Sequence, residues 1–193
     1  MERSDYLVLV NKQYKLPDDW EKKVELVEVK NSFGKIFKIE KETLEKFNEL
    51  RADLLQQGID IELDSVFRSL TRQKDIFWEF EEKYWFEYAD KYVAPSGYSE
   101  HHTWLAIDIC VKKENWEIIS ENHDMIIECE MFEKVHKDLW KYWFIVRYPD
   151  WKDNITWYTY EPRHFRYIWD ANVAQEIYEK WLTLEEYLGV VKS

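Results

Sequence analysis

The sequence predicts an α+β fold, and three observations carry that reading. Short apolar or alternating runs, "VELVEV", "IDIELDSVF", "LAIDICV" and "FIVRY", have the pattern of strands. Other stretches repeat their apolar residues at helical spacing. The two kinds of element follow one another without a regular strand–helix alternation, which disfavours a doubly wound sheet. The expectation is one domain over residues 1–193, with a small antiparallel sheet carrying the site and helices packed around it.

Each element has its own warrant. "YLVLV" (6–10) and "VELVEV" (24–29) read as strands split by a polar stretch with Pro17. In "TLEKFNELRADLLQQG", Leu44, Phe47, Leu50 and Leu54 form a helical stripe, Thr43 can cap its start and Gly58 ends it. "IDIELDSVF" reads as a strand running into Arg68. Thr71 to about Tyr88 reads as a helix, aromatic on one side, with Ser69 or Thr71 as cap. "VAPSGYS" is loop, "LAIDICV" a strand with Asp108 embedded in it, and Ile127 to Tyr142 a third helix. "FIVRY" and "YTYEPRHFRYI" read as extended, Ala171 to Lys180 as helix, and "TLEE" (183–186) as a capping box opening a last short helix.

Composition excludes several classes. A formal charge of −12 argues against nucleic acid and against electrostatic docking to anionic lipid. No apolar run is long enough to span a bilayer. The N-terminal stretch lacks the pattern of a signal peptide, so the expected location is the cytoplasm, or the cell envelope with an export segment outside this chain. Cys110 and Cys129 are too few for a disulfide framework and are expected to be free and buried. A monomer is expected.

The residues that carry chemistry are His101 and Asp108, with six residues between them, and the later "EPRH" with Glu161 and His164. A zinc hydrolase needs three protein ligands with one position left open, and a carboxylate outside that set to take a proton from water. His101, Asp108 and His164 fit the first role and Glu161 the second. On residue type alone, solvated histidines and an aspartate at a strand edge stand as an equal alternative. His102 is not expected to be a ligand, His123 and His136 are expected to be solvated, and Cys110 is expected to be a core thiol.

The order and spacing of "LVNKQYKLP", "FRSLTRQ", "YVAPSGYSEHHTWLAIDI", "WFIVRYP", "YTYEPRHFRYI" and "LTLEEYL" give more. The chain resembles the VanY-type D-alanyl-D-alanine carboxypeptidases of the LAS group of zinc peptidases, relatives of the VanX-type dipeptidases and the hedgehog domains. The resemblance covers most of the chain. It implies a zinc site at His101, Asp108 and His164, with Ser99 opening the same motif, Glu161 as base and Arg68 facing the oxyanion. Gln73 and Ser99 fall where the family holds substrate groups. The implied activity is zinc-dependent removal of D-alanine from peptidoglycan stem peptides. Within the enzymes, a D-Ala-D-Ala dipeptidase or a phage-type L-alanyl-D-glutamate endopeptidase is the alternative; outside them, a binding module that keeps the metal without turnover. Arg163 departs from the family's common tryptophan in "EPWH", which puts substrate preference in doubt more than metal binding.

A second departure is systematic. The family has glycine where this chain has Trp85, Trp104, Trp143, Trp157 and Trp169, and Trp116, Trp151 and Trp181 stand where a turn glycine is natural. The chain has eleven tryptophans but four glycines, ~2% against an ordinary ~7%. The expectation is a gene whose UGA codons mean glycine, translated here with UGA read as tryptophan. Glycine serves positive φ and close backbone approach, so these eight positions are expected to strain the chain as written, and an indole at 104 to press into the metal cleft or prop its loop open.

Overall fold

The computed structural model describes residues 1–191. Its architecture is α+β, with a two-stranded antiparallel hairpin of β1 (Leu26–Lys30) and β2 (Ile36–Glu40) beside a five-stranded antiparallel sheet. The sheet runs β3 (Asp60–Ser65), β4 (Ala106–Lys112), β7 (His164–Tyr167), β6 (Phe144–Val146), and β5 (Ile118–Ile119) pairs with β4. β2 and β5, five and two residues long, are not read as strands from the sequence; antiparallel pairing with β1 and β4 makes them strands.

Side-chain alternation divides the sheet's work. On β4, Ile107, Ile109 and Val111 enter the main core, which α1 (Lys41–Gln56) closes with Phe47, Leu50 and Leu54. Asp108 points to the other face. The same alternation on β7 sends Phe165 and Tyr167 into the core and His164 and Arg166 away from it.

Several boundaries differ from the sequence reading, each for a physical reason. Residues 6–10 form no strand: a 3₁₀ turn spans Arg3–Leu7, and the buried Arg166 guanidinium donates to the carbonyls of Tyr6 and Val8 at 2.9 Å each. α1 begins two residues earlier than Thr43. Its cap is Glu40, whose carboxylate accepts from the backbone N–H groups of Glu42 and Thr43 and from the Thr43 hydroxyl. The aromatic helix is two: α2 (Leu70–Tyr84), capped by Ser69, and α3 (Phe86–Tyr92), with the chain turning at Trp85 at φ 65°. The third helix divides into α4 (Asn122–Ile127) and α5 (Cys129–His136), because Glu128 leaves helical geometry at ψ 38°, and a 3₁₀ turn follows at Leu139–Tyr142. α6 (Asp153–Thr156) and α7 (Ala171–Glu179) complete the set with α8 (Leu184–Tyr187), which opens with the reciprocal Thr183–Glu186 capping box.

Cys110 is buried, and burial pushes its thiol up to about 11; Cys129 is exposed, contrary to expectation, on the outer side of α5. His123 is exposed. His136 is not solvated: half-buried on α5, it donates through Nε2 to the Pro162 carbonyl at 2.7 Å and packs on Phe132, Tyr160 and Phe165.

Among the described residues, the non-glycine residues with positive φ are Trp85, Trp104, Trp116, Trp143, Trp151, Trp157, Trp169 and Trp181, at 52–67°, and all four glycines share that conformation. Trp104 does not enter the metal cleft. Its indole is buried in the core, stacked on Phe67 at 4.3 Å, with Nε1 lacking any hydrogen-bond partner.

Candidate active site

Strand register makes the first contact of the site. Asp108 on β4 and His164 on β7 are direct cross-strand partners, so their side chains leave the same face side by side. His101 arrives from the 3₁₀ turn Glu100–Thr103 just before β4, whose start is capped by the Ser99 hydroxyl accepting from the His101 N–H at 3.3 Å. Asp108 Oδ2 lies 3.2 Å from His101 Nε2, and Oδ1 lies 3.0 Å from His164 Nδ1. The three ligand atoms all fall within 4.8 Å of one another, and all three residues are buried.

This donor set fits zinc. Ligands ~2.0–2.2 Å from a tetrahedral centre sit roughly 3.3–3.6 Å from each other; each imidazole approaches its own Asp108 oxygen at close to that separation, and one atom from each residue lies within 4.8 Å of the others. The imidazoles are also oriented from behind, as metal-ligating histidines require. His101 Nδ1–H donates to the Val66 carbonyl, which leaves Nε2 free to ligate. His164 turns Nδ1 to the site because its Nε2 faces Glu100 Oε2 at 3.5 Å.

Glu100 belongs to a buried ionic cluster. Its Oε1 accepts from Arg147 Nε and Arg166 Nη1 at 2.7 Å each, and Arg147 forks onto Glu185 at 2.7 and 2.9 Å. Burial opposes ionisation of Glu100, but the two guanidinium groups hold its carboxyl well below the usual range. Without a cation the triad splits its protonation. Burial and the Arg68 charge push His101 down to about 4. Burial also opposes charge on His164, but hydrogen bonds to Asp108 and Glu100 outweigh it and lift that imidazole to about 9. Burial likewise raises Asp108, yet the His101 and His164 contacts, with Arg163, keep it ionised.

Glu161 is placed by a tight turn in which the His164 N–H donates to the Glu161 carbonyl at 3.2 Å. Its Oε2 lies 3.9 Å from His164 Nδ1, outside the triad. Burial, only partly offset by His164 and the arginines, raises its carboxyl to about 7. Such a pKa suits a group that must accept and return a proton near neutral pH.

Arg68 reaches the same face, donating to Asp108 Oδ2 at 3.0 Å and to Gln73 Oε1 at 3.4 Å. Gln73 is buried and tied through Nε2 to the Ala94 carbonyl at 2.8 Å. Arg68, Gln73, Ser99 and Glu161 line one cleft with the triad. His102 points elsewhere: Nδ1–H donates to the Arg68 carbonyl at 2.7 Å and Nε2 accepts from the Gly97 N–H at 3.1 Å, so it fixes the backbone beneath Arg68. Arg163 does not sit free in the pocket floor; it pairs with Asp64, bonds the Ser120 carbonyl and lies 3.6 Å from Asp108. The roles of Glu100 and His102 escaped the sequence reading, because adjacency to His101 hid two residues that point away from it.

Comparisons with known proteins show the family. Residues 36–170 match the VanY family, described as D-alanyl-D-alanine carboxypeptidase. The putative carboxypeptidase YodJ of Bacillus subtilis (strain 168) is 36% identical over 191 residues, covering 97% of this chain and 68% of that protein. Among solved structures, the LdcB LD-carboxypeptidase superposes with a TM-score of 0.80 at 34% identity, covering 98% of this chain and 88% of that one. A VanY D,D-pentapeptidase variant from a VanB-type resistance cassette, in complex with Zn(II), does so at 0.80 and 28%, covering 95% and 99%. VanYB in complex with D-alanine-D-alanine follows at 0.79 and 28%, covering 97% and 99%. By sequence and fold, this chain belongs to the VanY family of D-alanyl-D-alanine carboxypeptidases.

Proposed function

We propose that this chain is a zinc-dependent D,D-carboxypeptidase that removes the terminal D-alanine of a peptidoglycan stem peptide. Zinc, when bound, supplies Lewis acidity and makes water nucleophilic at neutral pH; His101, Asp108 and His164 would hold it. Water oxygen adds to the scissile carbonyl carbon, Glu161 takes the water proton, and the C–N bond breaks as Glu161 passes that proton to the leaving amine. Arg68 faces the charge that grows on the carbonyl oxygen, with Gln73 fixing its direction. Ser99 orders the turn that presents His101.

The observation that carries this reading is Glu161, a carboxyl raised to about 7 beside the triad but not among its ligand atoms. A metal-retaining binding module has no use for one. The test is mass spectrometry of three substrates: a pentapeptide ending in D-Ala-D-Ala, a tetrapeptide ending in one D-alanine after an L-centre, and the free dipeptide. Alanine release is expected from the first. Glu161→Gln should lower it ~10²–10⁴-fold while zinc stays bound. Exclusive turnover of the tetrapeptide or the dipeptide would move the assignment within the family, and no turnover of any by the chain with glycine at the eight positive-φ tryptophans would favour the binding module.

We also propose that the functional form carries glycine at the eight left-handed tryptophans. What supports this is their backbone. The remaining tryptophans, Trp20, Trp78 and Trp140, are absent from the positive-φ set. Their codons are therefore expected to be UGG, and those at the other eight UGA; UGG at positions such as 104 or 143 would overturn the proposal.

A further inference from the structure

Two stretches, "LVNKQYKLP" and "LTLEEYL", lie near opposite ends of the chain and hold none of the site residues. The structure joins them behind the metal triad. Asn11, from the first, donates through Nδ2 to Oε1 of Glu185, in the first turn of α8, at 3.0 Å. Glu185 accepts the fork of Arg147, with Nη1 on Oε2 at 2.9 Å and Nη2 on Oε1 at 2.7 Å. The Nε–H of the same guanidinium donates to Glu100 Oε1, which Arg166 Nη1 also reaches, and Glu100 Oε2 is left to face His164 Nε2. Arg147 is anchored by its backbone as well, its N–H donating to the His164 carbonyl at 3.2 Å. Asn11, Glu100, Arg147, Arg166 and Glu185 are all buried.

We infer that Glu185 is a positioning residue for the metal ligand His164, acting through Arg147 and Glu100. The inference rests on the zinc site proposed above. Geometry gives the first reason. A two-point contact with a carboxylate fixes the plane of a guanidinium, and with that plane set the Arg147 Nε–H meets a single oxygen of Glu100. Without Glu185, the same guanidinium is free to turn its fork onto Glu100 and take both oxygens, which removes the acceptor behind His164. Charge gives the second reason. Two carboxylates balance two guanidinium groups, so the cluster presents no net charge to a bound dication. Losing Glu185 leaves one positive charge in excess, in surroundings too dry to screen it. Stability alone does not call for such a cluster, because apolar residues of similar volume commonly serve a core as well as buried ion pairs do.

The test uses the full chain with glycine at the eight positive-φ tryptophans as parent. Zinc affinity is measured by chelator competition below the melting temperature of every variant, and Co(II) absorption reads the ligand field at the same site. Glu185→Gln should weaken zinc ~10-fold, the lower end of the range for a group that touches a ligand directly, and shift the Co(II) bands. Glu185→Asp, which keeps the charge on a shorter arm, should recover part of the affinity. Glu186→Gln breaks the pair with Lys152 and the capping box of the same helix, so it should lower the melting temperature and leave both metal readouts unchanged. Unchanged affinity and spectrum in Glu185→Gln overturn the inference, as does an equal loss in Glu186→Gln. If Glu185→Gln does not fold, Glu185→Asp decides, and parental affinity and spectrum there overturn it. If the parent itself takes up no zinc, the metal site fails and the inference fails with it.

Discussion

Glu161 sits 3.9 Å from His164, and burial lifts its carboxyl to about 7, which gives two measurable slopes of opposite use. As a base it must be ionised, so kcat/KM should decline as pH falls through the region of 7, and Glu161→Gln should abolish the limb along with the activity. For folding the sign is reversed. A carboxyl whose folded pKa exceeds its ordinary value contributes stability that is complete below that value and is lost as pH rises through about 7. Glu161→Gln should therefore raise the melting temperature of the metal-free chain more at pH 8 than at pH 4; an equal rise at both would show that the buried charge costs nothing. Glu100 presents the other case. Removing it leaves Arg147 and Arg166 buried without their shared anion, and Glu100→Ala should cost about 3–5 kcal/mol in denaturant unfolding. The same variant releases the far nitrogen of His164, so zinc affinity should fall ~10–100-fold.

At the scale of the elements, the left-handed tryptophans end turns and helices whose geometry asks for no side chain. Trp104, Trp143 and Trp157 follow the last residue of a 3₁₀ or short helical turn in αL geometry. Each such residue costs about 1–2 kcal/mol relative to glycine. At Trp116 and Trp151, which are 93% and 86% exposed, the indole gains almost nothing to offset that cost. Trp116→Gly and Trp151→Gly should each stabilise by about 1 kcal/mol, and unchanged melting temperatures would show the strain to be absent. Trp104 buries its ring on Phe67 but leaves Nε1 unpartnered, so its cost has two sources. Trp116, Trp151 and Trp181 were legible in the sequence because a turn's demand for glycine is local, and the other five because the family resemblance puts glycine there. The break at Glu128 and the strand status of β2 and β5 were not, since packing against neighbours decides them.

For the whole molecule, metal binding and folding are one equilibrium. In the metal-free chain the triad keeps a proton on His164, whose imidazole is lifted to about 9 between Asp108 and Glu100. A ligating nitrogen must surrender that proton, so zinc uptake at pH 7–8 should release it, seen as a buffer-dependent heat in calorimetry. Zinc in hundredfold excess over its dissociation constant should add about 2.7 kcal/mol of stability, which a chelator should remove. A melting curve indifferent to both would mean that the triad is not a metal site.

The sequence by itself offered candidate ligands and a candidate base, which the ordered motifs of the family resemblance singled out, and it marked positions where the backbone calls for glycine. Those properties reside in residue type, in the order of the separated motifs and in local turn geometry. Only the tertiary structure decided that Asp108 and His164 stand opposite each other across two strands. It alone brought Glu100, Arg147, Arg166 and Glu185 together behind the imidazole and turned His102 under Arg68. Contacts between residues far apart in the chain come from sheet register and the packing of a shared core, and no short window of sequence contains them.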